Sequence, residues 1–92
     1  MVSRVYIFKG LVQNVGFRSF IRHVAVENSI TGWVQNNPDG TVSALFEGEK
    51  SSIEGAIDKI LSGNGIIKVS DYIISDEKYL QQRNFKSFFI KF

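Results

Sequence analysis

The residues best suited to chemistry gather near the start of the chain, in Gly10-Leu11-Val12-Gln13-Asn14-Val15-Gly16-Phe17-Arg18. Two glycines bracket an apolar run, and an arginine follows where a helical pattern begins. Successive backbone N–H groups of such a loop can converge on one point, and a helix N-terminus adds positive potential there. Arg18, in the first turn of that helix, can grip two oxygens of a phosphate at once. The same spacing also fits a glycine-tuned connection beside an exposed arginine, and the loop alone leaves both readings open. It is not a Walker loop, because G-x-x-x-x-G-K-[ST] is absent and no Ser or Thr is placed for magnesium. It is not a dinucleotide fingerprint either, since the surrounding strands do not alternate with helices as a parallel sheet requires. An anion cradle without a metal seat points to a small phosphorylated substrate whose leaving group needs little help.

Composition narrows the rival chemistries. The chain has no cysteine and one histidine, which excludes disulfides, thiolate nucleophiles and Cys-based metal sites. A protein-built transition-metal centre is not expected from so few ligands, nor is any other cofactor. His23 falls on a helical segment next to Arg22, off its apolar stripe, and reads as a solvated residue. Asp39 sits in a turn, while Glu47, Glu49 and Glu54 read as strand-end, loop and cap residues, so no acid–base pair stands out. The net charge of +2 calls for neither nucleic acid nor a membrane surface. A single-strand RNA platform would need aromatics and a basic residue on the third strand. That strand, TVSALFEG, offers Phe46 alone beside Glu47, and Tyr6, Phe8, Phe88 and Phe89 read as core or sheet-face packing. The N-terminus lacks the apolar core of a signal peptide, and no run is long enough to span a bilayer. A cytoplasmic, monomeric protein acting on a small molecule is the expectation.

The elements that hold the loop belong to a chain of 92 residues that reads as one domain, 1–92, with no linker or repeat. Val2 to Lys9 is rich in β-branched and aromatic residues and reads as a strand. Phe17, Ile21, Val24 and Ala25 recur at helical spacing up to Asn28-Ser29. Ile30–Gln35 and Thr41–Glu47 flank Asn36-Asn37-Pro38-Asp39-Gly40, a cluster of turn formers, and read as a hairpin. Ser51 and Glu54 fit a capping box before a second helix, whose stripe is Ile53, Ala56, Ile57, Ile60 and Leu61. Gly63-Asn64-Gly65 ends it. Ile66–Ile74 and Phe85–Phe92 read as strands, joined by a polar loop from Glu77 to Asn84. The order β-α-β-β-α-β plus a final strand predicts an α+β fold: a two-layer α/β sandwich, ferredoxin-like, with two helices on one face of an antiparallel sheet.

The first loop resembles the first signature of the acylphosphatases, G-x-V-Q-G-V-x-F-R. Gly32-Trp33-Val34-Gln35-Asn36 with Gly40-Thr41-Val42 and Gly48 resembles the second, G-[FYW]-[AV]-x-N-x-x-x-G-x-V with a further glycine six residues on. Both occur in the right order, and the likeness covers nearly the whole chain. It implies metal-independent hydrolysis of acyl phosphates to a carboxylate and inorganic phosphate, with no phosphoenzyme. On this resemblance the catalytic residues fall on Arg18 and Asn36. The phosphate-binding stretch falls on Gln13, Asn14, Val15, Gly16, Phe17 and Arg18. Similar domains also begin a much larger hydrogenase-maturation protein, whereas the length here and the start at Met1 favour a stand-alone enzyme.

The departure is Asn14, where the family has glycine. Asparagine is the side chain that best tolerates left-handed backbone. If the position is left-handed, the cradle keeps its shape. If it lies where only glycine is at ease, the distortion costs about 1–3 kcal/mol. The alternative expectation is therefore a phosphate-binding domain of reduced activity.

Overall fold

The computed structural model describes residues 1–92. The chain runs β1 (Val2–Leu11), α1 (Phe17–Glu27), β2 (Thr31–Asn36), β3 (Val42–Gly48), α2 (Lys50–Ser62), β4 (Lys68–Tyr79) and β5 (Phe88–Lys91). One sheet holds the strands in the order β4-β1-β3-β2-β5. Alternation along β1 sends Tyr6 and Phe8 into the core, while Val5 and Ile7 are half-buried on the other face. Phe17, Ile21, Val24 and Ala25 of α1 and Ile53, Ala56, Ile57 and Ile60 of α2 join them in one apolar cluster. The ferredoxin-like two-layer sandwich follows. Phe8, Phe17 and Phe46 are fully enclosed, each contributing about 2–3 kcal/mol of burial. The aromatics of β1 and β3 are thus packing groups, with the Tyr6 ring edge-on to Phe46.

Several expectations change. The sheet is mixed rather than antiparallel, because β5 pairs parallel to β2, with Gly32 opposite Phe88 and Gln35 opposite Lys91. The reason lies in the connection from β4. Glu77 to Tyr79 continue the strand, and the chain then crosses the end of the sheet to its opposite edge and turns upward beside β2. Polar bonds strap that crossing down. Leu80 N–H donates to Met1 O, and Arg83 donates to Ser29 O, Thr31 Oγ1 and Glu47 O. The carboxylate of Glu47, fully buried, accepts from Thr31 Oγ1 and from the N–H groups of Asn84 and Phe85 at 2.9–3.0 Å. Glu47 is therefore a buried anchor as well as a strand-end residue.

The capping box is not formed. The N-cap of α2 is Glu49, extended at φ −66° and ψ 140°, and the helix already includes Ser51. Burial of Ile53, Ala56, Ile57 and Ile60 sets where the helix begins, and a Ser–Glu pair placed later has no free end to cap. Leu61 falls off that stripe and is exposed.

Gly10, finally, is a strand residue. At φ 127°, beside a bulge in the β1–β4 pairing, a Cβ there would lie 2.3 Å from Lys68 O. Close approach of β4 requires this glycine, and the anion loop begins after it.

Candidate functional site

The loop from Val12 to Gly16 leaves β1 and enters α1, so its end is a helix N-terminus. Gly16 is the N-cap at φ 78° and ψ 17°, left-handed backbone with no side chain to cap the helix. No acidic residue occupies the first turn. The first intrahelical acceptor is Gly16 O, taken by Phe20 N–H. Every backbone N–H from Gln13 to Ser19 is consequently without an acceptor in the chain. Donors left open at a helix start form a concavity of positive potential. Asn14 has φ 61°, the left-handed region that asparagine tolerates best among side-chain-bearing residues. The condition set by its departure from glycine is met.

The loop opens on a cleft of about 130 Å³ lined by Val12, Asn14, Gly16, Phe17, Arg18, Ser19, Asn36, Ile90 and Phe92. Arg18 is half-buried there, its guanidinium carbon 5.1 Å from the centroid of the Phe92 ring. Across the cleft stands Asn36, the last residue of β2, whose Oδ1 is buried and makes no hydrogen bond. A buried acceptor of this kind costs about 1–3 kcal/mol unless something donates to it. It belongs on the wall of a site that receives a ligand or a water.

The structure thus brings Asn14, Gly16, Phe17, Arg18 and Asn36 to one cavity. Gln13 and Val15 do not line it. Val15 packs against the core, and the Gln13 amide turns toward the hairpin, donating to Asn37 O at 2.8 Å and Thr41 O at 2.9 Å. These two bonds tie the anion loop to the turn that follows Asn36. The turn has its own brace, since Asn37 Nδ2 donates to Thr41 Oγ1 and Ser43 Oγ. Thr41 in turn donates to Asp39 through Oγ1 at 2.6 Å and N–H at 3.0 Å, holding the Asp39 carboxyl below its usual range. His23 lies outside the site, exposed and 2.9 Å from Glu27 one turn away.

Sequence reasoning missed Val12, Ser19, Ile90 and Phe92 as wall residues. Ser19 could have been found from its place in the first turn beside Arg18. Ile90 and Phe92 carry no local signal, because they reach the cleft only through the parallel pairing of β5 with β2. No three His, Cys, Asp or Glu side chains are grouped to hold a metal ion, and no helix is long and apolar enough to cross a membrane.

The family model described as acylphosphatase matches residues 4–90. An acylphosphatase of Geobacillus thermodenitrificans is 43% identical over 75% of this chain and 74% of its own length. One of Geobacillus kaustophilus is 40% identical over 84% of this chain and 89% of its own. The crystal structure of acylphosphatase from Bacillus subtilis has a TM-score of 0.91 at 31% identity, covering 100% of both chains.

Proposed function

The chain belongs to the acylphosphatase family of hydrolases, and we propose that its cleft splits acyl phosphates by in-line attack of water on phosphorus. One observation carries the reading. Asn14, Gly16, Phe17, Arg18 and Ser19, all with acceptor-free backbone N–H groups, line the same small cleft as Asn36, whose Oδ1 is buried and unpaired. The amides and Arg18 hold the phosphoryl oxygens and neutralise the charge that spreads over them in the transition state. Asn36 Oδ1 accepts a hydrogen bond from water and sets it opposite the leaving oxygen. An amide is too weak a base to take the proton, so its role is orientation. As the water oxygen bonds to phosphorus, the acyl C–O–P bond breaks at phosphorus. The carboxylate departs with the electron pair and the water proton passes to solvent. A carboxylate leaves readily, so the step needs no general acid and no metal.

The reading as a phosphate binder of reduced activity rested on Asn14 distorting the loop. A φ of 61° removes the main reason for it.

Hydrolysis of benzoyl phosphate in the presence of EDTA tests the proposal. Turnover is expected, with competitive inhibition by inorganic phosphate and loss of turnover in Arg18→Ala and Asn36→Ala. Turnover that survives both substitutions overturns the assignment of residues. Phosphate binding without turnover overturns the hydrolytic reading itself.

A further inference from the structure

A side-chain carbonyl followed by glycine is a step at which a chain can attack itself, because glycine puts no side chain in the way of its own nitrogen. The sequence holds two such steps, Asp39-Gly40 and Asn64-Gly65. The fold treats them in opposite ways. At the first, Gly40 N–H donates to Asn37 O at 3.2 Å, and the Asp39 carboxylate accepts from Thr41 N–H at 3.0 Å and Thr41 Oγ1 at 2.6 Å. Both reacting groups are engaged. At the second, neither is. Asn64 and Gly65 stand exposed between α2 and β4, and neither the Asn64 amide nor the Gly65 N–H makes a hydrogen bond in the chain. Gly65 has φ 94°, and a Cβ there would meet nothing within 4 Å, so the space around it is open.

The other asparagines are held or shielded. Asn28 donates to Val24 O, and the N–H that follows it, of Ser29, donates to Val26 O. After Asn36, the Asn37 N–H donates to Thr41 O. After Asn37 comes Pro38, which has no N–H to react. After Asn84, the Phe85 N–H is held by the Glu47 carboxylate. Asn14 has a free N–H after it, but there the β-branched side chain of Val15 crowds the nitrogen.

We infer that Asn64 is a self-modification site, losing its amide to water by way of a cyclic imide formed with Gly65. The Gly65 nitrogen gives its proton to a base in solvent and bonds to Asn64 Cγ. The Cγ–Nδ2 bond breaks, and the nitrogen takes up a proton and leaves as ammonia. Water then opens the ring at either carbonyl. One opening leaves aspartate. The other leaves isoaspartate, with the main chain running through the former side chain.

The position makes the change felt by the fold. Either product sets a negative charge just past the C-terminal end of α2, where the helix dipole is already negative. Isoaspartate also lengthens the backbone by a methylene in a tight turn. Gly63 sits there at φ 70°, where a Cβ would lie 2.7 Å from Ile67 O, and Ile67 is buried in the core. Conversion therefore loosens the entry to β4.

Incubation of the folded protein in mildly alkaline buffer, followed by peptide mass analysis, tests the site. The amide at position 64 is expected to be lost before any other, leaving both aspartate and isoaspartate there. Asn64→Gln is expected to abolish that loss, because the longer side chain closes a less favourable ring, and an exposed residue without hydrogen bonds can be exchanged without unfolding the chain. Over the same interval the urea unfolding midpoint is expected to fall in the unaltered protein and to hold in Asn64→Gln. Retention of the amide at 64, or earlier loss at Asn14, overturns the site. Aspartate without isoaspartate overturns the imide route. A midpoint that falls equally in both proteins, or in neither, overturns the link to the fold.

Discussion

Two arginine-bearing depressions flank one seam between α1 and β5, and they differ in how their donors are used. In the cleft at Arg18, the backbone N–H groups have no acceptor, the guanidinium faces open space and an aromatic ring, and a buried amide oxygen waits unpaired opposite. In the wider depression, lined by Arg22, Arg83, Lys86 and Phe88 among others, Arg83 is tied to three acceptors on β2, β3 and the turn after α1, and the neighbouring Glu47 carboxylate is filled by Thr31, Asn84 and Phe85. Positive charge is common to both. What separates them is whether polar groups are satisfied by the chain, which stabilises the fold, or left converging on a cavity, which serves a ligand.

This contrast can be broken most forcefully at Arg18. Arg18→Ala is expected to lower kcat/KM for benzoyl phosphate about a thousandfold or more, by analogy with arginines that neutralise a transferring phosphoryl group. Its urea unfolding midpoint should stay put, because the side chain satisfies no buried group. Glu47→Ala should do the reverse. Leaving the N–H groups of Asn84 and Phe85 unpaired costs about 3 kcal/mol of stability, read from urea unfolding, while the folded fraction keeps its turnover. A large rate loss in Glu47→Ala at full folding would erase the distinction between the two depressions.

Gln13 lies between these cases, since it belongs to the anion loop yet its side chain braces the hairpin. Gln13→Ala is expected to lower kcat about tenfold through misplacement of Asn36 against the phosphoryl group. Inhibition by inorganic phosphate should hardly change, because the amides that grip it remain. Equal losses in both readouts would mean that Gln13 shapes the loop rather than its distance from Asn36. Asn14→Gly should change kcat/KM by no more than about twofold, because the left-handed φ is open to both residues. The smallest effect concerns pH. The bonds from Thr41 lower the Asp39 carboxyl in the folded protein, so the support it lends the turn is present above its unfolded value and lost as pH falls through the folded one. Asp39→Asn should therefore flatten the acid limb of the unfolding midpoint and leave it unchanged in slope near neutrality.

Much of this was legible from residue patterns. The stripe Phe17-Ile21-Val24-Ala25 gave α1 its buried face, and the turn formers between Asn36 and Gly40 placed the hairpin. The resemblance to two acylphosphatase signatures named Arg18 and Asn36 before their approach was visible, since spacing along a chain says nothing of distance across it. Gly10 was misread as part of the anion loop because the strand that crowds it lies some sixty residues away in sequence. The capping box misled for a similar reason: burial of four apolar side chains outweighs one favourable end.

By itself, then, the sequence determined the two helices, the turn positions and a loop able to receive an anion, all properties of neighbouring residues and their backbone preferences. Only the tertiary structure decided that β5 runs parallel to β2, and hence that Ile90 and Phe92 wall the cleft and Arg22 donates to Phe88 O. It also decided that Gln13 joins two loops and that Glu47 is an anchor. Each of these depends on which distant groups find a partner once water is excluded, and on which are left without one.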